Sequence, residues 1–151
     1  MEFSQIINRN AIDLKYRAKD KDDVLRHMVE MLYKDGAITS VREFLDDVYL
    51  RESEGITGIG DNIAIPHGKS KCVIKNCVAV CKLVEPIEWE TIDDQPVNLI
   101  ILFAVTKEGA TNTHLKMMAC VASALAKEKV CKGIKSATTP DDLIAAFSVI
   151  A

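Results

Sequence analysis

A nine-residue segment near the middle of the chain constrains the fold most. Residues 97–105 read VNLIILFAV, with apolar side chains at odd and even positions alike. Successive side chains of a strand point to opposite faces of the sheet, so a strand that is apolar on both faces is expected to be covered on both. We therefore predict a central strand here, in an α/β sandwich whose central mixed β-sheet is covered by helices on both faces.

Helical spacing of apolar residues predicts two consecutive helices in the first third of the chain. The first spans residues 21–34 and is followed by Gly36, a natural C-terminal cap; its His27 is expected at the surface. The second has Ser40 as its N-cap and ends near Leu50. The remaining predicted elements are strands over residues 5–18 and 73–84 and helices that begin near residues 113 and 140.

Length and charge limit the class of protein. A chain of 151 residues, 48% hydrophobic and 27% charged, is expected to form a single globular domain over residues 1–151. The net charge of −3 argues against general nucleic-acid binding. No apolar run is long enough to span a membrane, and the first residues lack the apolar core of a signal peptide. We therefore predict a cytoplasmic protein without direct membrane insertion.

The cysteines show no pattern that indicates a disulfide or a metal site. There are five, at positions 72, 77, 81, 120 and 131, and they form no C-x-x-C pair. A nucleophilic cysteine needs a lowered pKa and some exposure. Cys72 is the only serious candidate because it follows His67 closely, whereas Cys131 is expected to follow a helix away from that region. We predict reduced thiols, none of which takes part in the chemistry.

A glycine-rich stretch is the best candidate for a binding loop. Residues 51–68 read RESEGITGIGDNIAIPHG. Glycine permits positive φ angles and lets backbone N–H groups approach a ligand closely. We therefore expect Gly55, Gly58 and Gly60 to shape a loop with free amide donors, which would suit an anion or a phosphoryl group.

The same stretch holds one histidine in a defined position. Residues 63–65 form a short apolar run that suits a buried strand. Pro66 fixes its own φ and favours an extended conformation for the residue before it. His67 is therefore predicted to leave the strand end at a defined angle, beside the glycine loop.

Two further side chains are predicted to join His67. Arg51 ends the second helix and leads into the loop, where a cation suits a bound anion. His114 lies in the first turn of the helix after the central strand, at the sheet edge where ligands bind in open α/β folds. Asp61 is interpreted as a solvated loop acid, and Trp89, the only tryptophan, as the anchor of an acidic connection.

These motifs together resemble the fructose/mannitol-type enzyme IIA, the phosphocarrier of the bacterial phosphoenolpyruvate-dependent sugar phosphotransferase system. The motifs that carry the resemblance, in the family's order and approximate spacing, are Arg51-Glu52, Thr57-Gly58-Ile59-Gly60, Ile63-Ala64-Ile65-Pro66-His67-Gly68, Trp89 with Asp94-Gln95-Pro96-Val97, and His114-Leu115. The family usually has Ser or Thr directly before the Thr-Gly pair, whereas this chain has Ile56 and lacks that hydroxyl.

The resemblance implies a role for each candidate residue. His67 would be phosphorylated by the phosphohistidine of HPr and would pass the group to a cysteine of enzyme IIB, which works with a membrane enzyme IIC. His114 and Arg51 would match the second active-site histidine and the active-site arginine. The residues expected to bind the phosphate are Thr57, Gly58 and Gly60.

The sugar and the biological output remain open at this point. The leading hypothesis is uptake and phosphorylation of fructose or a related sugar, with no cofactor and no metal. The first alternative is the nitrogen-related enzyme IIA branch, which uses the same phosphohistidine for signalling. The second is a module that binds an anion or a metal without phosphotransfer.

Overall fold

A computed structural model describes residues 2–108 and 111–148 of the chain. The strands are β1 (Ile7–Tyr16), β2 (Gly58–Gly60), β3 (Ile63–Ala64), β4 (His67–Ser70), β5 (Cys77–Ile87) and β6 (Val97–Thr106). The helices are α1 (Lys21–Lys34), α2 (Val41–Glu54), α3 (Thr111–Leu125), α4 (Glu128–Ser136) and α5 (Pro140–Ser148), and a short 3-10 helix spans Phe3–Gln5.

The predicted central strand is β6. The strand order is β1-β5-β6-β3-β2, with β4 also paired to β6. Strand β6 is antiparallel to β5 but parallel to β3 and β4, so the sheet is mixed. Alternate β6 side chains enter two separate cores: Leu99, Ile101 and Phe103 on one face, Ile100 and Leu102 on the other. Burial on both faces explains why this segment has no polar alternation.

Helices cover both faces of the sheet. Residues of α1 and α2 form one core with the sheet, and residues of α3, α4 and α5 form the other. The predicted α/β sandwich is therefore confirmed. Within the two described ranges, no helix combines the length and the apolar character needed to cross a bilayer.

The two N-terminal helices differ in how well their ends were predicted. Helix α1 has the predicted bounds, and Gly36 follows it with a φ of 79°. Helix α2 begins as expected, because the Ser40 side chain accepts a hydrogen bond from the Glu43 amide. Its predicted end near Leu50 is wrong, since the helix continues to Glu54. The apolar pattern stops before the last turn, which is held by polar contacts instead.

Three other expectations need correction. Strand β5 begins at Cys77 rather than at residue 73. Helix α4 was not predicted, and Cys131 lies inside it rather than after a helix. This helix is short and rich in lysine, and only Val130 and Ile134 are buried, so its sequence pattern is weak.

His27 is half-buried, not the surface histidine that was predicted. Its Nε2 lies 2.9 Å from Asp13 Oδ2, and its ring stacks on Tyr16 with a centroid distance of 3.8 Å. Both partners belong to β1, so the contact exists only because α1 packs on that strand. The helical pattern alone could not reveal it.

Lys82 of β5 closes the C-terminal end of α4. Its ammonium group donates hydrogen bonds to the carbonyl oxygens of Ile134, Lys135 and Ala137. The last carbonyl groups of a helix have no partner within the helix. One lysine therefore serves three carbonyl groups at the end of the helix, and its partial burial lowers the pKa of the ammonium group.

Replacing Lys82 with methionine is expected to lower the free energy of unfolding by about 2 kcal/mol, because hydrogen bonds from a charged donor to helix-end carbonyls are lost. Chemical denaturation would measure the change. The control is Lys132→Met, since Lys132 is exposed on α4 and only pairs with Glu128 on the surface; we expect a change within about 0.5 kcal/mol. Equal losses in the two variants would contradict the capping role.

Candidate phosphoryl-transfer site

His67 begins strand β4 and is buried beside the central strand. Pro66 separates β3 from β4, and its carbonyl oxygen accepts a hydrogen bond from Phe103 of β6. His67 pairs in register with Phe103, and its residue surface is only 8% exposed. The prediction that His67 leaves a strand end is therefore refined: the histidine opens a new strand on the far side of the proline.

The hydrogen bonds of His67 define its tautomer. Arg51 Nε lies 2.9 Å from His67 Nε2, and Nδ1 lies 3.4 Å from the Ile65 carbonyl oxygen. A guanidinium group only donates, so Nε2 accepts and carries no proton. The proton is therefore on Nδ1, which donates to the carbonyl oxygen of Ile65.

Burial keeps this imidazole neutral. Loss of solvation lowers the pKa of His67 to about 4, against the smaller raising effect of the Ile65 carbonyl, and the nearby Arg51 and His114 lower it further. The ring is therefore uncharged at pH 7. Its Nε2 lone pair is free to act as a nucleophile whenever the arginine releases it.

His114 stands next to His67, as the sequence predicted. It lies in the first turn of α3, and the two ring centroids are 5.1 Å apart with the planes tilted by 58°. Its Nε2 is buried and has no hydrogen-bond partner among the described residues. Burial lowers the pKa of His114, with smaller effects from Lys69 and Arg51. A neutral imidazole with an unused ring nitrogen suits contact with a phosphoryl oxygen.

Arg51 reaches His67 from the last turn of α2. Besides its bond to the imidazole, its Nη1 donates to the carbonyl oxygen of Gly55 at 3.2 Å. The fold thus brings Arg51, His67 and His114 together from a helix, a strand and a second helix. Gly55 itself has a φ of 168°, an extended conformation that any residue adopts, so it does not need glycine for a positive φ.

The glycine loop is more internally bonded than expected. The Thr57 hydroxyl donates to Glu52 Oε1 and accepts from Trp89 Nε1, both at 3.0 Å. The Gly58 amide donates to the Glu90 carbonyl oxygen at 3.2 Å. Neither group is the free donor that was expected of a phosphate-binding loop. Trp89 was predicted to be an anchor, and its indole N–H holds the glycine loop through the Thr57 hydroxyl.

Position 60 favours glycine because its backbone has a positive φ. Its φ is 89°, and Asp61 and Asn62 after it also have positive φ, at 56° and 66°. These residues form the turn between the antiparallel strands β2 and β3. The role of Gly60 toward a phosphate stays a prediction. Asp61 is exposed and pairs with Lys135, as a solvated loop acid would.

Replacing Gly58 with alanine is expected to lower the free energy of unfolding by about 1–3 kcal/mol through overpacking. A Cβ there would lie 2.1 Å from Thr91 Cγ2 and 2.7 Å from the Glu90 carbonyl oxygen. Denaturant unfolding would measure the loss. Gly55→Ala is the matched control, because its nearest contact is Arg51 Nη1 at 3.8 Å. A Gly58 variant as stable as this control would contradict the prediction.

Two residues near the site were given no role by sequence reasoning. Glu52 was named only as part of the Arg51-Glu52 motif, and the structure shows it as a buried carboxylate beside Arg51. Lys69 is two positions after His67 in β4, so strand alternation places both on one face of the sheet. Recognition of β4 as a strand would have revealed Lys69, whereas nothing local to Glu52 indicates that its carboxylate is buried.

The positions or pKa values of three cysteines argue against a part in this group. Cys72 is buried in the core that contains α1 and α2, whereas Phe103, the strand partner of His67, belongs to the opposite core. Burial raises the pKa of Cys77 to about 12 and raises that of Cys81 still further, which disfavours a thiolate. No group of three or more His, Cys, Asp or Glu side chains within residues 2–108 and 111–148 could hold a metal ion.

The sequence also matches a known family along almost its whole length. Residues 5–149 match the family described as "Phosphoenolpyruvate-dependent sugar phosphotransferase system, EIIA 2". The chain belongs to this family. EIIA domains are phosphotransferase components that carry phosphoryl groups, which confirms the resemblance to enzyme IIA and the general role of phosphocarrier.

Relatives of this EIIA domain include transport and regulatory proteins. The chain is 35% identical over 148 residues to the PTS system 2-O-alpha-mannosyl-D-glycerate-specific EIIABC component of Escherichia coli. The aligned residues cover 97% of this chain and 22% of that protein. It is 31% identical over 144 residues to the nitrogen regulatory protein of Klebsiella oxytoca, covering 95% of this chain and 88% of that protein. The chain thus spans about a fifth of the EIIABC relative.

The fold agrees with this assignment. The crystal structure of IIA mannitol from Escherichia coli matches with a TM-score of 0.77 at 26% identity, over 93% of this chain and 97% of that one. The EIIA type 2 fold is therefore shared along nearly the full length of both chains.

Proposed function

We propose that this EIIA domain accepts a phosphoryl group on Nε2 of His67 from phospho-HPr and passes it to a cysteine of enzyme IIB. The observation that carries the proposal is the hydrogen bond from Arg51 Nε to His67 Nε2. It leaves Nε2 unprotonated and places a permanent cation at the point where the phosphoryl group would arrive.

Each transfer is an exchange of one bond to phosphorus for another. The Nε2 lone pair of His67 attacks in line, a new P–N bond forms, and the P–N bond of the HPr phosphohistidine breaks. Arg51 moves from Nε2 to the phosphoryl oxygens, and His114 Nε2, when it carries the proton, donates to another oxygen. Such charge-assisted donors stabilise the charge on the transferring group.

The Nδ1 proton serves the second transfer. While the phosphoryl group is on Nε2, the Nδ1–H group keeps its bond to the Ile65 carbonyl oxygen and holds the ring in place. When a cysteine thiolate of enzyme IIB attacks, the P–S bond forms and the P–N bond breaks. The ring then leaves as a neutral imidazole, because Nδ1 still carries its proton.

The proposed output is uptake and phosphorylation of fructose or a related sugar through enzymes IIB and IIC. The EIIABC relative supports a partnership with B and C components, and its name includes a mannosyl-glycerate substrate. The nitrogen regulatory relative supports a second candidate, signalling through the same phosphohistidine. Onward transfer from the phosphorylated domain to purified enzyme IIB of a sugar system, followed by sugar phosphorylation, would separate the two.

The proposal is tested by incubating the protein with phosphoenolpyruvate, enzyme I and HPr, followed by intact-mass measurement. We expect one phosphoryl group per chain, bound through a phosphoramidate that is lost in mild acid and retained in base. The His67→Ala variant is expected to accept none. A label that survives acid, or one that persists in the alanine variant, would overturn the assignment.

A further inference from the structure

Glu52, the residue after Arg51 in the last turn of α2, holds a buried carboxylate. Its side chain is 7% exposed, and its Oε1 receives Lys21 Nζ at 2.7 Å and the Thr57 hydroxyl at 3.0 Å. Lys21 also lies over the ring of Trp89, 4.7 Å from its centroid. A buried carboxylate is retained only where such partners compensate its lost solvation.

The Thr57 hydroxyl has its direction set by this carboxylate. A hydroxyl group has one proton, and Trp89 Nε1, which only donates, occupies one of its acceptor positions at 3.0 Å. The proton of Thr57 is therefore directed to Glu52 Oε1. Thr57 is only 3% exposed, so no water competes freely for either bond.

The backbone of Thr57 continues the connection to the active-site imidazole. Its carbonyl oxygen accepts a hydrogen bond from the Ile65 amide at 2.9 Å. The Ile65 carbonyl oxygen in turn accepts from Nδ1 of His67. Hydrogen bonds joined through the covalent structure of Thr57 and Ile65 thus connect Glu52 to Nδ1 of His67, without passing through Arg51.

We propose that Glu52 is a positioning residue, which acts through Thr57 and Ile65 to hold the Ile65 carbonyl oxygen against Nδ1–H of His67 and so fixes the direction in which Nε2 faces the incoming phosphoryl group. This inference rests on the proposed phosphorylation of His67. Glu52 does not touch the reacting atoms. Loss of its charge would loosen the loop, lengthen the bond from Nδ1 to Ile65 and leave the ring held by Arg51 alone.

The effect should appear in turnover rather than in partner binding. We expect Glu52→Gln to lower kcat for transfer from phospho-HPr by about tenfold and Thr57→Val by about a hundredfold, since a misplacement near 1 Å at a reacting group costs about that much. The KM for phospho-HPr should stay within about twofold, because a buried carboxylate offers nothing to the partner. Thr57→Ser, which keeps the hydroxyl, should retain most of the wild-type kcat.

The experiment combines these kinetics with nitrogen-15 NMR of the His67 ring in the unphosphorylated protein. Wild type and Glu54→Gln, an exposed acid in the same turn, should show a slowly exchanging proton on Nδ1. Glu52→Gln and Thr57→Val should exchange that proton with water faster, while Nε2 stays unprotonated in all of them because Arg51 still donates to it. Circular dichroism would select folded variants, and the pair Thr57→Ser and Thr57→Val decides the question if Glu52→Gln does not fold.

Two results would overturn the inference: folded variants with the wild-type kcat and the wild-type exchange rate of the Nδ1 proton, or a rise in KM with kcat unchanged. Failure of the wild type to become phosphorylated on His67 would instead refute the proposed function. In that case the exchange rate of the Nδ1 proton alone would decide whether Glu52 positions the ring, because its measurement needs no phosphoryl donor.

Discussion

Arg51→Ala and His114→Ala are each expected to slow phosphoryl transfer from phospho-HPr by about a hundredfold or more, the usual loss when one charge-assisted donor to a transition state is removed. Arg51 donates to the acceptor nitrogen at 2.9 Å, and His114 offers a buried ring nitrogen without another partner in the described part of the chain. Quench-flow measurement of labelled protein would give the rates.

Matched variants separate this effect from loss of charge or of fold. Arg42→Ala removes an exposed arginine at the start of the same helix and should transfer at the wild-type rate. Arg51→Lys keeps the charge without the planar fork of donors and should fall between wild type and alanine. Wild-type rates in both Arg51→Ala and His114→Ala would show that the site has been assigned wrongly.

His67 is expected to remain neutral far below the range of an ordinary histidine. Its pKa is about 4, chiefly because of burial, whereas an exposed histidine has a pKa of about 6.5. A difference of that size changes the protonated fraction at neutral pH more than a hundredfold. Titration of the His67 ring protons by NMR should therefore show a midpoint near 4; a midpoint near the ordinary value would contradict the burial argument.

The same shift predicts how stability depends on pH. Between the two pKa values the unfolded chain binds a proton on His67 that the folded protein does not. The free energy of unfolding should therefore decrease as the pH falls from about 6.5 toward the folded pKa. Above about pH 6.5 His67 should no longer make the free energy of unfolding depend on pH. His67→Asn should show a weaker decrease over this window. Parallel curves for the variant and the wild type would contradict the prediction.

Part of the candidate site could be read from the sequence because it depends on neighbouring residues. Pro66 before His67 and the glycines before both are local features, and they correctly pointed to one rigidly presented imidazole. The first turn of α3 placed His114 by helical spacing alone. The meeting of these residues followed from the sheet-edge argument, and the structure confirms it with ring centroids 5.1 Å apart.

The glycine loop shows where this reasoning was incomplete. Glycine residues suggested free amide donors, but Gly58 is needed because Thr91 and the Glu90 carbonyl oxygen leave no room for a Cβ atom. The Thr57 hydroxyl was expected to face a phosphate, yet it bonds to Glu52 and Trp89. A glycine-rich sequence indicates that some group lies close to the backbone. It does not indicate whether that group belongs to a ligand or to another part of the chain.

The sequence by itself determined the central strand, helix α1 and the histidine that follows the proline. These depend on side-chain periodicity and on the φ preferences of Gly and Pro, which act within a few residues. The tertiary structure alone decided the protonation of His67, the internal bonds of Thr57 and the length of α2. Arg51 and His67 are 16 residues apart, and Thr57 and Trp89 are 32 apart. Hydrogen bonds and burial at such separations exist only after the helices have packed on the sheet, and they set which nitrogen is free to react.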